Sequence, residues 1–154
     1  MFTGKYIHTI DEKGRVVLPS TMRKQFEGSG TCIISPALDG QLAINLPHEY
    51  AAYLDREEAK ASTAAVRRRV RLLSNSAIEQ SVDKAGRVVI NEELRALAGI
   101  SLGSEVVVAG AHKHAEIWNP ERFARDLELA RVELAQEIAS EGNQPKSSQE
   151  VDGS

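Results

Sequence analysis

Along residues 5–10, and again along 77–82, apolar and polar side chains alternate weakly, the period-two pattern of a strand. Each stretch runs into Asp-x-x-Gly, at Asp11–Gly14 and Asp83–Gly86. That is turn chemistry, because an aspartate can accept from the backbone ahead of it and glycine tolerates positive φ. Arg15-Val16-Val17-Leu18 and Arg87-Val88-Val89-Ile90 follow, β-branched segments that predict a returning strand. A short helix comes next in each half. Pro19-Ser20 precedes Met22 and Phe26, while Asn91 can cap a helix over Glu92–Leu97 that Gly99 suits at its end. Two more strands are expected near 31–35 and 41–46, with Asp39-Gly40 as a hairpin signal, and two near 104–110 and 114–118. Pro47 and Pro120 each open a closing helix, since proline is pre-shaped for the first helical position, and Asn119 can cap the second. Phe123, Leu127, Ala130, Leu134 and Ile138 form an apolar stripe along that last helix, and Val66, Val70 and Leu73 one along a shorter helix after Ser62-Thr63.

These elements repeat. Asp11 through Leu18 aligns with Asp83 through Ile90 at an offset of 72, and Met22-Arg23 falls on Leu94-Arg95. Ile44 through Tyr50 then falls on Ile117 through Phe123 at an offset of 73, so one loop has gained a residue. Motifs recurring in one order at nearly one spacing mark a duplicated unit. Each copy is about fifty residues, too few to bury a comfortable core alone. The expected fold is therefore mainly β with short helices, an α+β class in which two tandem modules share a core as an intramolecular pseudo-dimer. The Val-Val-Leu/Ile strands are the expected material of a shared sheet. Residues 1–54 are read as the first module, 55–76 as a helical connector and 77–123 as the second module. Residues 124–140 are read as a C-terminal helix and 141–154 as a disordered polar tail.

Composition adds little beyond a globular character: 42% hydrophobic and 27% charged residues. Runs such as Val106–Ala109 are far too short to cross a bilayer, and Met1–Tyr6 lacks the apolar core of a signal peptide. The single cysteine, Cys32, excludes an internal disulfide framework, which points to a cytoplasmic location. The net charge of −3 speaks against nucleic acid until its distribution is considered. Residues 1–26 carry five bases and two acids, whereas residues 120–154 carry eight acids and four bases. DNA responds to the local field within a Debye length of ~8 Å, not to the chain average.

The candidate chemistry lies in the two turns. Arginine has a planar fork that can bond a phosphate bidentately or read guanine O6 and N7. Arg15 and Arg87 each follow a turn glycine, Gly14 and Gly86, and Lys13 and Lys84 flank them. The lysines can neutralise phosphates without reading sequence. The alternative is that Arg15 and Arg87 pair with Asp11 and Asp83 and merely stabilise the turns; the motif alone leaves both open. Arg67, Arg68, Arg69 and Arg71 are read as a solvated helix face, as partners of Asp55, Glu57 and Glu58, or as a subunit contact. The Phe123–Ile138 stripe is read as core or subunit interface. His112 and His114 are expected on one strand face, but no cysteine or carboxylate cluster stands near in sequence to complete a metal set. Cys32 is read as a small core residue. No P-loop lysine follows Gly28-Ser29-Gly30, no Gly-x-Ser-x-Gly occurs, and no carboxylate pair is singled out, so neither an enzyme, a cofactor nor a small-molecule substrate is expected.

The tandem Asp-x-x-Gly-Arg-Val-Val, the first copy's Leu18-Pro19, the opening Met1-Phe2-x-Gly4 and the Arg67–Leu73 segment resemble the MraZ family over residues 1 to about 140. MraZ proteins are bacterial transcription regulators with two SpoVT-AbrB-type swapped-hairpin modules. The resemblance implies binding to short direct repeats in the promoter of the protein's own operon of division and cell-wall genes, usually as a repressor. It also implies nucleoid association and assembly of subunits into a homo-oligomeric ring. The family's main DNA-contact arginine falls on Arg15, and Lys13 and Arg87 match by position in the motif. The sequence departs from the family at Asn91, where a proline is usual, and at Ser74–Ala77, where a Gly-His-Ala segment is usual. The competing expectation is a protein-interaction platform of the same fold without DNA specificity. An antitoxin role ranks below it, because the segment after Glu141 is almost free of apolar anchors.

Overall fold

The computed structural model describes residues 1–143. Eight strands and five α-helices occur among them: β1 (Lys5–Thr9), β2 (Arg15–Val17), α1 (Ser20–Arg23), β3 (Thr31–Pro36), β4 (Leu42–Asn45), α2 (Pro47–Glu58), α3 (Ala64–Asn75), β5 (Ile78–Ser81), β6 (Arg87–Val89), α4 (Glu92–Ala98), β7 (Glu105–Gly110), β8 (Ala115–Trp118) and α5 (Pro120–Asn143). A 3₁₀ turn, Lys24–Phe26, extends α1. The helix starts follow local chemistry. The Thr63 hydroxyl accepts from Val66 N at 3.2 Å, the Asn91 side chain accepts from Leu94 N at 2.9 Å, and Asn119 Oδ1 accepts from Glu121 N at 2.8 Å. Gly99 closes α4 in a left-handed conformation.

The two copies exchange strands. Six strands form one sheet in the order β1-β7-β8-β4-β3-β5, and β2 and β6 form a separate two-stranded ribbon. The first strand of each copy pairs antiparallel with a strand of the other: β1 with β7, Tyr6 opposite Val108, and β5 with β3, Gln80 opposite Cys32. β4 and β8 join the halves at the centre, Leu42 opposite Ile117. The Val-Val segments are thus shared between copies as expected, but in their own ribbon and not in the main sheet. Each is only three residues long before a turn on one side and a helix on the other, so neither has the length to extend the larger sheet.

One face of the sheet carries the core. Cys32, Ile34, Leu42, Ile44, Val106, Val108 and Ile117 point into it and are fully buried. Val16, Leu18, Val88 and Ile90 close it from the ribbon side, and Met22, Phe26, Leu94 and Ala98 from the helices. Burying each valine, leucine or isoleucine contributes about 1.5–3 kcal/mol, so the four ribbon residues are a principal tie between ribbon and sheet. The opposite face packs partly under α2 and α3, where the Tyr50 hydroxyl donates to Leu73 O. Glu57 is buried there and accepts from Lys60 Nζ at 2.7 Å and Arg69 Nη1 at 3.2 Å. Those two cations hold its carboxyl below the usual range. Arg69 therefore has the helix-pairing role considered for the arginine-rich segment.

Several expectations change. His112 and His114 do not share a strand face: β7 ends at Gly110 and β8 starts at Ala115, and both histidines lie in the connection. His112 has φ +71° and forms an isolated bridge with Phe2, and His114 Nε2 pairs with Glu116 Oε2 at 3.1 Å. Among the described residues no group of three or more histidine, cysteine or acidic side chains is placed to hold a metal. Cys32 is fully buried, and burial pushes its thiol up to about 12. No helix among the described residues is long and apolar enough to cross a membrane.

Residues from Phe123 onward form a second structural unit. Within it α5 continues to Asn143, beyond the expected end at 140. Leu134 and Ile138 are exposed, so that part of the stripe is not core within one chain. The remainder of the expected tail, 144–154, lies outside the described residues.

Candidate nucleic-acid interface

Each Asp-x-x-Gly-Arg turn is organised by its aspartate. Asp11 Oδ1 accepts from Lys13 N at 2.9 Å and from Arg15 N at 2.8 Å, while Oδ2 accepts from Arg15 Nε at 2.6 Å. Asp83 repeats this set with Ala85 N at 2.9 Å, Arg87 N at 2.8 Å and Arg87 Nε at 2.8 Å. The backbone N–H of the arginine, aided by its side chain, holds each carboxyl below the usual aspartate range. The Asp–Arg pairing weighed from sequence is therefore present in both copies. It engages only Nε. No described residue accepts from the Nη atoms of either arginine, which leaves four of the five guanidinium N–H donors without an acceptor in the turn.

The ribbon register sets where the arginines stand. Arg15 lies opposite Val89, Val16 opposite Val88 and Val17 opposite Arg87. Alternation sends Val16 and Val88 inward, both fully buried, and sends Arg15, Val17, Arg87 and Val89 to the outer face. Val17 is 43% and Val89 46% exposed. Arg15 and Arg87 are thus diagonal neighbours on one face, with backbones roughly 8 Å apart. The turns are stitched to the opposite copy's strand: Ile90 N donates to Gly14 O at 2.7 Å and Leu18 N to Gly86 O at 2.8 Å.

Two residues that sequence reasoning passed over complete the loops. Both turn glycines have positive φ, +79° at Gly14 and +80° at Gly86, and each has an arginine of the opposite copy lying on it. Arg95 of α4 covers Gly14, its Nη1 3.1 Å from where a Cβ would stand, and donates to Ile90 O at 2.7 Å. Arg23 of α1 covers Gly86, its Cδ 2.6 Å from the corresponding point. The repeat offset of 72 relates Arg23 to Arg95, and that was the available signal. Gathered together, Lys13, Arg15 and Arg95 surround the first turn, and Lys84, Arg87 and Arg23 the second. The turns differ in charge: Asp11 and Glu12 offset Lys13 and Arg15, while Asp83 alone opposes Lys84 and Arg87.

A duplicated fold that interlocks two hairpin modules around an arginine-bearing ribbon defines the tandem swapped-hairpin class. The model of the family described as "MraZ protein, putative antitoxin-like" matches residues 1–72 and again 73–140. The chain is similar to proteins carrying the name Transcriptional regulator MraZ. The one from Thermomicrobium roseum is 31% identical over 91% of this chain and 99% of its own. The one from Roseiflexus castenholzii is 34% identical over 82% and 87%, and that from Deinococcus radiodurans 36% over 86% and 92%. The chain belongs to the MraZ family.

Proposed function

We propose that this chain is a sequence-specific DNA-binding transcriptional regulator, acting as a repressor on short direct repeats in the promoter of its own operon. The observation that carries the reading is the outer face of the β2–β6 ribbon. A B-DNA major groove about 12 Å wide admits a two-stranded β-ribbon. This ribbon presents Arg15 and Arg87 on one face, each held by an aspartate through Nε with its Nη donors unbonded by any described residue. That geometry matches bidentate bonding to guanine O6 and N7 or to phosphate. Lys13, Lys84, Arg23 and Arg95 supply backbone neutralisation on either side, and buried Gly14 and Gly86 keep both turns narrow. The relatives' name, transcriptional regulator, agrees with this role. The role needs no catalytic group, and it places the protein in the cytoplasm on the nucleoid.

One ribbon offers few contacts. Assembly of subunits into a ring that meets several repeats makes later contacts intramolecular and raises avidity by ~10²–10⁴. The test is a gel shift with the chain's own upstream region, its repeats deleted one at a time, over a salt series. Affinity is expected to fall with each repeat lost. Its log–log salt slope should approach about −5 per subunit if all six cations release counterions. Absence of any shift at low salt overturns the reading in favour of a protein-interaction platform.

A further inference from the structure

We propose that His8 and Gln80 are positioning residues that lock the two strands of the ribbon, fully at Val89 and by half at Val17. The proposal rests on the reading of the ribbon as the DNA-facing surface. A two-stranded ribbon has two open edges. The Leu18–Gly86 and Ile90–Gly14 bonds make those pairs the hydrogen-bonded ones. Alternation then leaves Arg15–Val89 and Val17–Arg87 as non-bonded pairs, so the N–H and C=O of Val17 and Val89 point away from the ribbon. These groups belong to the strands that carry Arg15 and Arg87, and an edge without partners is free to twist and slide.

Gln80, on β5, fills one edge. Its Nε2 donates to Val89 O at 2.8 Å and its Oε1 accepts from Val89 N at 2.7 Å. A side-chain amide thus offers both halves of a peptide group and acts as a one-residue strand. The equivalent place in the first copy, 72 positions earlier, is His8 on β1. Its Nδ1 bonds Val17 O alone. The other ring nitrogen lies on the far side of the imidazole, so one histidine cannot serve both backbone groups. The strand of Arg87 is held at two points and the strand of Arg15 at one. Neither side chain touches the turns, and each acts only through the backbone it bonds.

The test uses the full chain with His8→Ala, His8→Gln and Gln80→Ala, and Arg15→Ala as the reference. Affinity for the chain's own upstream DNA is measured by fluorescence anisotropy at fixed salt, alongside amide exchange at Val89. His8→Ala should weaken binding about fivefold, the worth of one hydrogen bond, and Gln80→Ala, which loses two, about twenty-five-fold. His8→Gln, which supplies the two-point clasp at Val17, should bind at least as tightly as the native chain. Gln80→Ala should speed exchange of the Val89 amide while core amides keep their protection, a result that loss of fold would not give. Native affinity in both alanine variants, or His8→Gln binding as weakly as His8→Ala, overturns the positioning role if Arg15→Ala still weakens binding tenfold or more. Should Arg15→Ala also bind like the native chain, the DNA reading itself fails.

Discussion

Replacing Gly14 with alanine should destabilise the chain more than the matching change at Gly86, although both glycines sit in the same turn. Both have positive φ near 80°, and that alone costs an alanine ~1–2 kcal/mol. The surroundings differ. At Gly14 the new Cβ would stand 2.8 Å from Ile90 O, a backbone atom. Ile90 is tied on both sides: its N–H donates to Gly14 O at 2.7 Å and its carbonyl accepts from Arg95 Nη1 at 2.7 Å. Relief of the clash must stretch one of these bonds, worth ~1 kcal/mol. The total for Gly14→Ala is then ~2–3 kcal/mol. At Gly86 the obstacle is the outer part of the Arg23 side chain, which has no acceptor among the described residues and can swing aside. The cost there stays at ~1–2 kcal/mol. For a chain of this length ~3 °C of Tm accompanies each kcal/mol, so the shifts should be ~6–9 °C and ~3–6 °C. Side-by-side calorimetric melts read the difference directly. Equal shifts, or a larger one for Gly86→Ala, would refute the assignment of a backbone obstacle to one turn and a side-chain obstacle to the other.

Two further outcomes follow from the same geometry. Because Asp11 and Asp83 titrate below the ordinary aspartate value of ~3.9, their stabilisation is complete above that value and is lost as pH falls through the depressed one. The double variant Asp11→Asn with Asp83→Asn should therefore lose less stability than the native chain on going from pH 5 to pH 3. Urea midpoints measure this, and parallel pH slopes would contradict it. Cys32, with its thiol raised to about 12, should resist a thiol-specific reagent at pH 8 in the folded chain and react fully in guanidinium. Rapid labelling of folded protein would count against a closed core.

What could be read from the sequence was the local chemistry. The caps at Asn91 and Asn119 and the Asp-x-x-Gly turns rest on residues a few positions apart, and each takes the form expected of it. The pairing of strands across copies rests on contacts between residues far apart in sequence, such as Cys32 with Gln80 and Lys5 with Ala109, and period-two alternation does not encode a partner. For the same reason Arg23 and Arg95 escaped notice: each lies on the turn of the other copy, a relation that exists only once the ribbon has crossed. His112 and His114, expected on one strand face, both stand in the β7–β8 connection, where His112 has positive φ and its backbone is bridged to Phe2. The turn aspartates posed a choice between pairing with arginine and freeing it for DNA. The pairing occurs through Nε alone, and no described residue accepts from either Nη atom, so the two readings are compatible.

The central claim is that the outer face of the β2–β6 ribbon binds DNA through Arg15 and Arg87. The direct measurement is the dissociation constant of repeat-containing upstream DNA for the native chain, Arg15→Ala and Arg87→Ala, at one fixed salt concentration. Native thermal stability and oligomer size are checked for each. Either variant should lose tenfold or more, since a good bidentate contact carries about 1–3 kcal/mol, and the pair should nearly abolish binding. Native affinity in the double variant, with fold and assembly intact, would contradict it.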